Sequence, residues 1–221
     1  MVDFKNEGIK VLIPLRGGSK GIKRKNLKLL KNKPLFYWVT QAALNAQLEV
    51  YISSEDDEIK NTTKKLFPNV TLQDRPKELS TDNASTEEVI SHFISENRCK
   101  HIMLLQATSP LTSTEDIISS INLYKEGNYR PLVSVCKKHD FIWDEKGYPL
   151  NYDPSARPRR QDWSGNLVEN GAIYLFQAAE FKKNGSRCSP PCTLYQMNYE
   201  KSFEIDTHLD WLIMEEIINY I

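Results

Sequence analysis

VLIPLRGGSKGIKRKN, residues 11–26, runs from a short apolar segment into a glycine-rich, strongly basic loop. Val11-Leu12-Ile13 is branched and apolar, which predicts a buried strand, and Pro14, which has no N–H for a ladder, ends it. Beyond it, Gly17, Gly18, Ser19 and Gly21 are interleaved with Arg16, Lys20, Lys23, Arg24 and Lys25. Glycines let a backbone fold closely around a ligand and turn N–H groups toward an anion. Cations crowded beside them suit a triphosphate better than any neutral ligand; a solvated basic turn is the competing reading. Two common phosphate loops are excluded by spacing. The G-x-x-x-x-G-K-[ST] pattern is absent, and Gly17, Gly18 and Gly21 do not fall at G-x-G-x-x-G.

The rest of the chain frames this loop. A length of 221 residues suits a single domain with a sizeable core, and 40% hydrophobic with 26% charged residues is ordinary for a soluble protein. Lys+Arg and Asp+Glu are each 29, so the net charge is zero and a nucleic-acid coat is not expected. The start, MVDFKNEGIK, has no signal-peptide character, and no apolar run reaches the ~20 residues of a membrane span, so the expectation is a cytoplasmic protein without membrane or nucleic-acid partners. Cys99, Cys136, Cys188 and Cys192 are scattered. Cys188 and Cys192 lack a second pair or a His cluster, so zinc is not expected; reduced thiols are, with a 188–192 disulfide as the alternative.

Periodicity predicts a helix opening at Pro34 with Leu35, Trp38, Val39, Ala42, Ala43 and Ala46 on one face. A strand at Val50–Ser53, a helix through Ile59, Thr63 and Leu66, and a strand at 70–72 follow, giving the β-loop-α-β-α-β order of a parallel sheet. Ser85, three residues ahead of Glu88, predicts a helix N-terminus. HIMLLQ at 101–106 is another strand; Gln106 ends it, where its amide suits a pyrimidine edge or caps the next helix. Leu132 to Cys136 is a further strand. Residues 139–163 lose all period, with three prolines, aromatic Phe141, Trp143, Tyr148 and Tyr152, and the cluster Arg157, Arg159, Arg160. Near the end, Glu204 and Asp206 are expected on one face of a strand, a pair of hard oxygen ligands suited to Mg²⁺.

Arg16-Gly17-Gly18-Ser19-Lys20-Gly21 with Arg24-Lys25-Asn26 resembles the signature loop of the acylneuraminate cytidylyltransferases. The likeness continues in order through Arg75-Pro76 with Asp82-Asn83-Ala84-Ser85, LLQATSPL at 104–111, Arg160-Gln161-Asp162 with Asn170-Gly171-Ala172-Ile173-Tyr174, and Glu204-Ile205-Asp206-Thr207. It implies a three-layer, Rossmann-like α/β nucleotidyltransferase with a mainly parallel central sheet, one domain over 1–221 and a dimerisation insertion at 139–168. The implied reaction joins CMP from CTP to the anomeric hydroxyl of a nonulosonic acid, with release of pyrophosphate, in a homodimer.

In that picture Arg16, Lys20 and Asp206 are catalytic. Arg16, Gly17, Gly18, Ser19, Lys20, Asn26, Arg75, Ser85 and Gln106 bind nucleotide. Gln106, Arg160 and Tyr174 bind the sugar acid, with Arg160 clamping its carboxylate through a planar guanidinium. Asp206 and Glu204 hold Mg²⁺, with Mn²⁺ as an alternative ion. Arg160 also reads as one member of a surface run, and Tyr174 as plain core. The chain departs from the family pattern at Lys23 and Ala107, each in place of a proline, and at Glu204 in place of an aspartate. Phe141-Ile142-Trp143 stands where some sialic acid enzymes carry a lysine, which points toward a legionaminic-type acid and leaves N-acetylneuraminic acid open. Other readings are a CMP-Kdo synthetase-like or other sugar nucleotidyltransferase, an inactive CTP-binding sensor, and an interaction protein using the 139–168 segment.

Overall fold

The computed structural model describes residues 8–220. The chain runs through β1 (Ile9–Pro14), a hairpin of β2 (Leu29–Leu30) and β3 (Lys33–Pro34), α1 (Phe36–Asn45), β4 (Glu49–Ser54), α2 (Asp57–Leu66), β5 (Thr71–Asp74) and α3 (Thr86–Glu96). It continues through β6 (His101–Leu105), α4 (Thr114–Glu126), β7 (Leu132–Lys138), β8 (Asn166–Gln177), α5 (Ala178–Asn184), β9 (Thr193–Met197) and α6 (His208–Ile217). Seven strands form one sheet in the order β5-β4-β1-β6-β8-β7-β9. β8 is antiparallel to both its neighbours and the remaining pairings are parallel, so six strands end at one edge.

Side chains of a strand alternate between faces, and β1 shows the consequence. Val11 and Ile13 join the core under α1, α2 and α4, while Leu12 joins the core under α3 and α5. Burial on both faces makes β1 apolar from Val11 to Ile13, as parallel central strands require. The layers are helices, sheet, helices, as expected. A third cluster lies off the sheet, where Trp211 and Met214 of α6 pack on Ile22, Leu30, Leu35 and Ile205. Capping chemistry sets the helix starts. Ser85, Ser113 and Thr207 form capping boxes with Glu88, Asp116 and Asp210, and the Asp56 side chain accepts from the Ile59 amide.

Several sequence expectations change. Pro34 does not open α1; it pairs with Leu29 in the hairpin, across a turn in which Lys31 and Asn32 both have positive φ. Such a turn normally advertises itself with glycine, and here it carries none. Residues 178–184 and 193–197, with weak periodicity, form α5 and β9. The irregular stretch ends at 165, since Asn166 already pairs with Lys138. Inside it Phe141 contacts Tyr152 and Trp163, and the Arg157 guanidinium sits 4.6 Å from the Phe141 ring centre. All four cysteines are free, and burial pushes the Cys188 thiol up to about 12. Among the described residues no helix is long and apolar enough to cross a membrane.

Candidate active site

The carboxyl edge of the parallel strands opens into a cleft of about 300 Å³. One wall is the glycine loop, with Arg16, Gly18, Ser19, Lys25 and Asn26; the other is the approach to α3, with Thr81, Asp82, Ala84 and Ser85. Arg75 and Gln106 also line it. Seven of the expected nucleotide-binding residues therefore meet in one place. Gly17 and Lys20 lie beside the cleft without lining it: the Gly17 amide donates to Glu55 Oε1 at 2.7 Å, and Lys20 Nζ is 3.2 Å from Asp82 Oδ2.

The loop is held from beneath by buried charge. Arg75, 7% exposed, donates through Nη2 to the Leu15 carbonyl at 2.7 Å and to Glu55 Oε2 at 3.0 Å. Burial alone raises the Glu55 carboxyl, but the Gly17 amide, Ser80 and Arg75 outweigh it and hold the group below its ordinary value. Arg24 grips both carboxylate oxygens of Asp56 and also reaches Glu58. Its hydrogen bond is the main cause of the lowered Asp56 carboxyl. Asn26 Nδ2 donates to the Arg16 carbonyl at 2.9 Å. Ile22 is buried in the third core cluster, and a side chain on Gly21 would meet the Asp206 carbonyl at 2.3 Å. Gly21 is there because two backbones touch.

Glu204 and Asp206 do not sit on a strand. Residues 203–206 cross the sheet edge, tied by the Ile205 amide to the Thr108 carbonyl at 2.9 Å. Ile205 is fully buried, and this anchor sets the carboxylates on either side of it. Asp206 is exposed and pairs with Lys25 Nζ at 3.0 Å; the same ammonium donates to the Ile205 carbonyl. Burial first, then the negative charge of Asp206, pushes the Glu204 carboxyl up to about 7. Asp210 belongs to the helix cap, accepting from the Thr207 amide and hydroxyl.

This carboxyl gives the protein a pH dependence whose sign is fixed. Its proton is held more tightly in the folded chain, about 7 against 4.5, so this group's contribution to stability is fully present below about 4.5 and is lost as pH rises through 7. After allowance for partial exposure the loss is on the order of 1–3 kcal/mol. Urea unfolding without divalent ions at pH 5, 6, 7 and 8 should show this component, and Glu204→Gln should lack it.

Gly171 makes room for Glu204. Its φ is +65°, and an added Cβ would lie 1.9 Å from Glu204 Oε1. The conformation arises in β8 opposite a register shift of β7, where Ser134 Oγ donates to Asn170 Oδ1 and accepts from the Ile173 amide. Gly171→Ala should destabilise by about 1–3 kcal/mol from the left-handed backbone and displace Glu204. Loss of the pH component described above would report the displacement.

Two expected substrate residues lie elsewhere. Tyr174 is 3% exposed in the core; its hydroxyl donates to Glu169 Oε1 at 2.5 Å and the Arg187 guanidinium stacks over its ring at 4.6 Å. An inward position on a central strand explains this, and Tyr174 lines neither the loop cleft nor the cavities beside Arg160 and Glu204. Arg160 borders a separate cavity of about 790 Å³ with Lys138, Arg157 and Tyr199. A smaller one of about 190 Å³, lined by Glu169, Asn170 and Glu204, shares Lys138 and Tyr199 with it. The sequence reading did not single out Lys25, Glu55, Asp82 or Glu169 as site residues. Their signal was charge alone, and charge does not name its partner.

A cytidylyltransferase family model matches residues 10–210. N-acylneuraminate cytidylyltransferase A of Danio rerio is 36% identical over 222 aligned residues, covering 96% of this chain and 51% of that protein. The N-acylneuraminate cytidylyltransferase of Streptococcus agalactiae serotype III (strain NEM316) is 27% identical over 212, covering 91% and 51%. The chain spans about half the length of the curated relatives it matches. Among solved structures, a CMP:2-keto-3-deoxy-manno-octonic acid synthetase complexed with CTP aligns with a TM-score of 0.71 at 14% identity, covering 96% of this chain and 98% of that one. That likeness is one of fold. Since the family model runs from the first strand into the first turn of the last helix, the chain belongs to the cytidylyltransferases.

Proposed function

We propose that this chain transfers a cytidylyl group from CTP to the anomeric hydroxyl of a nonulosonic acid, of N-acetylneuraminic or legionaminic type, and releases pyrophosphate. The observation that carries the reading is a set of features at the carboxyl edge: the cationic loop cleft, Asp206 paired with Lys25 of its wall, and the Glu204 and Arg160 cavities that share Lys138 and Tyr199. The sugar oxygen bonds to the α-phosphorus while the bond to pyrophosphate breaks. Little covalent chemistry is asked of the protein, so position and charge carry the rate. Arg16, Lys20 and the Gly18–Ser19 backbone hold the triphosphate and offset charge on departing pyrophosphate. Asn26, Ser85 and Gln106 hold the nucleoside, and Arg75 keeps the loop in place beneath it. Arg160 meets the sugar carboxylate.

The residues fit a divalent ion. Burial first and then the charge of Asp206 drive the Glu204 carboxyl up, and a cation beside the two carboxylates would offset both. Among the described residues no cluster of three or more His, Cys, Asp or Glu is suited to a metal. A two-carboxylate donor set matches Mg²⁺, which takes few protein ligands beside phosphate oxygens and water. Asp206 and Glu204 would hold it, and it would supply charge neutralisation on the phosphates. Exposed Ile142, Trp143, Tyr148 and Leu150 on the 139–165 excursion support a homodimer, and four free thiols support a reducing, cytoplasmic setting.

Pyrophosphate release tests the reading, with Mg²⁺ and CTP against N-acetylneuraminic, legionaminic and pseudaminic acids and Kdo, and with ATP, GTP and UTP as controls. Release requiring CTP and one nine-carbon acid is expected. Release with Kdo alone moves the assignment to an eight-carbon substrate, and CTP binding without any release moves it to a sensor.

A further inference from the structure

The two cations assigned to the triphosphate share one carboxylate. Arg16 Nη1 donates to Asp82 Oδ1 at 2.8 Å and to the Thr81 carbonyl at 3.2 Å, while Lys20 Nζ lies 3.2 Å from Asp82 Oδ2. Asp82 stands on the opposite wall of the cleft, on the strap between β5 and α3, so both ion pairs cross the cleft mouth. The other acidic partners of this loop belong to the frame. Asp56 caps α2 as well as holding Arg24, and Glu55 ties Gly17 to Arg75. Asp82 has no such second duty. Among the described residues its carboxylate contacts are these two cations.

We propose that Asp82 is a built-in competitor for nucleotide polyphosphates, one that occupies the two triphosphate cations until a polyphosphate displaces it. The inference rests on the nucleotide reading of the cleft. A single carboxylate bridging two cations carries one negative charge, and both pairs are partly exposed, with side-chain exposures of 36% for Arg16, 77% for Lys20 and 42% for Asp82. Pairs of that kind are weak and readily exchanged. A polyphosphate that reaches both cations brings several charges and more oxygens, so it displaces the carboxylate. A monophosphate that does not span them leaves Asp82 in place. The same contact tethers the strap when no polyphosphate claims the cations.

The test is the isosteric variant Asp82→Asn in the whole chain, titrated calorimetrically with inorganic tripolyphosphate, CTP and CMP in the absence of divalent ions. Tripolyphosphate and CTP should bind about three- to tenfold more tightly than to the native chain, with CMP unchanged. Glu78→Gln, an exposed position on the same strap, adds the same charge without touching either pair, and should leave tripolyphosphate affinity near the native value. Weakened or unchanged tripolyphosphate binding in Asp82→Asn overturns the proposal, as does equal tightening of CMP or equal tightening in Glu78→Gln. If the native chain binds tripolyphosphate but not CTP, the cytidine reading fails, and the tripolyphosphate ratio still judges Asp82. Absence of all polyphosphate binding in both forms overturns the two together.

Discussion

Replacing Asp206 by asparagine should lower CMP transfer by roughly 10²–10⁴-fold and leave the fold intact. The size follows from several kcal/mol of phosphate charge stabilisation at about 1.4 kcal/mol per tenfold. The fold should survive because Asp206 is exposed and its ion pair, to Lys25 at 3.0 Å, lies at the surface. Pairs of this kind contribute about 0–1 kcal/mol. Lys25 keeps its bond to the Ile205 carbonyl at 2.7 Å, so the loop stays anchored. Initial rates of pyrophosphate release over a Mg²⁺ series, alongside a urea midpoint, separate the two effects. A variant within threefold of native activity would remove Asp206 from the proposed metal site.

Arg75→Met should cost about 3–5 kcal/mol of stability, the largest single-site loss expected here, because it strands Glu55 as a buried charge without its partner. The Arg75 side chain is 4% exposed and that of Glu55 16%, so neither has much access to water. The substitution also releases the Leu15 carbonyl from its 2.7 Å bond, loosening the strand end from which the glycine loop departs. Adding Glu55→Gln should recover part of the stability, since the stranded charge is then gone. Nucleotide affinity should stay impaired in the double variant, because the Gly17 amide would face a neutral amide in place of a carboxylate. Urea unfolding of the two single variants and the double variant closes the cycle. A loss below 1 kcal/mol in Arg75→Met would mean that the pair does not hold the loop.

Much of this site was legible in the chain. The apolar run at 11–13, the alternating β and α patterns and the Ser85-x-x-Glu88 cap are local signals, decided by a few neighbouring residues, and the structure returns each of them. The position of Gln106 and Arg16 at one sheet edge followed from the parallel order of the strands. Less legible was the hairpin at 29–34, whose turn lacks glycine, and α5 with β9, where the pattern is weak. Glu204 and Asp206 were expected on a strand and lie on an irregular segment, because a single hydrogen bond from Ile205 rather than a ladder orients them.

The sequence by itself determined an α/β chain with a parallel sheet and a basic glycine loop at a strand end, since residue spacing along one segment is enough to write those features. Only the tertiary structure decided which anion each cation meets: Arg16 and Lys20 with Asp82, Arg24 with Asp56, Arg75 with Glu55, Lys25 with Asp206. It also buried Tyr174 and set Arg160 in a cavity of its own. The physical reason is range. Strand and helix signals act over a few residues, whereas these ion pairs form between side chains 20 to 181 positions apart, and their approach is fixed only when the layers pack.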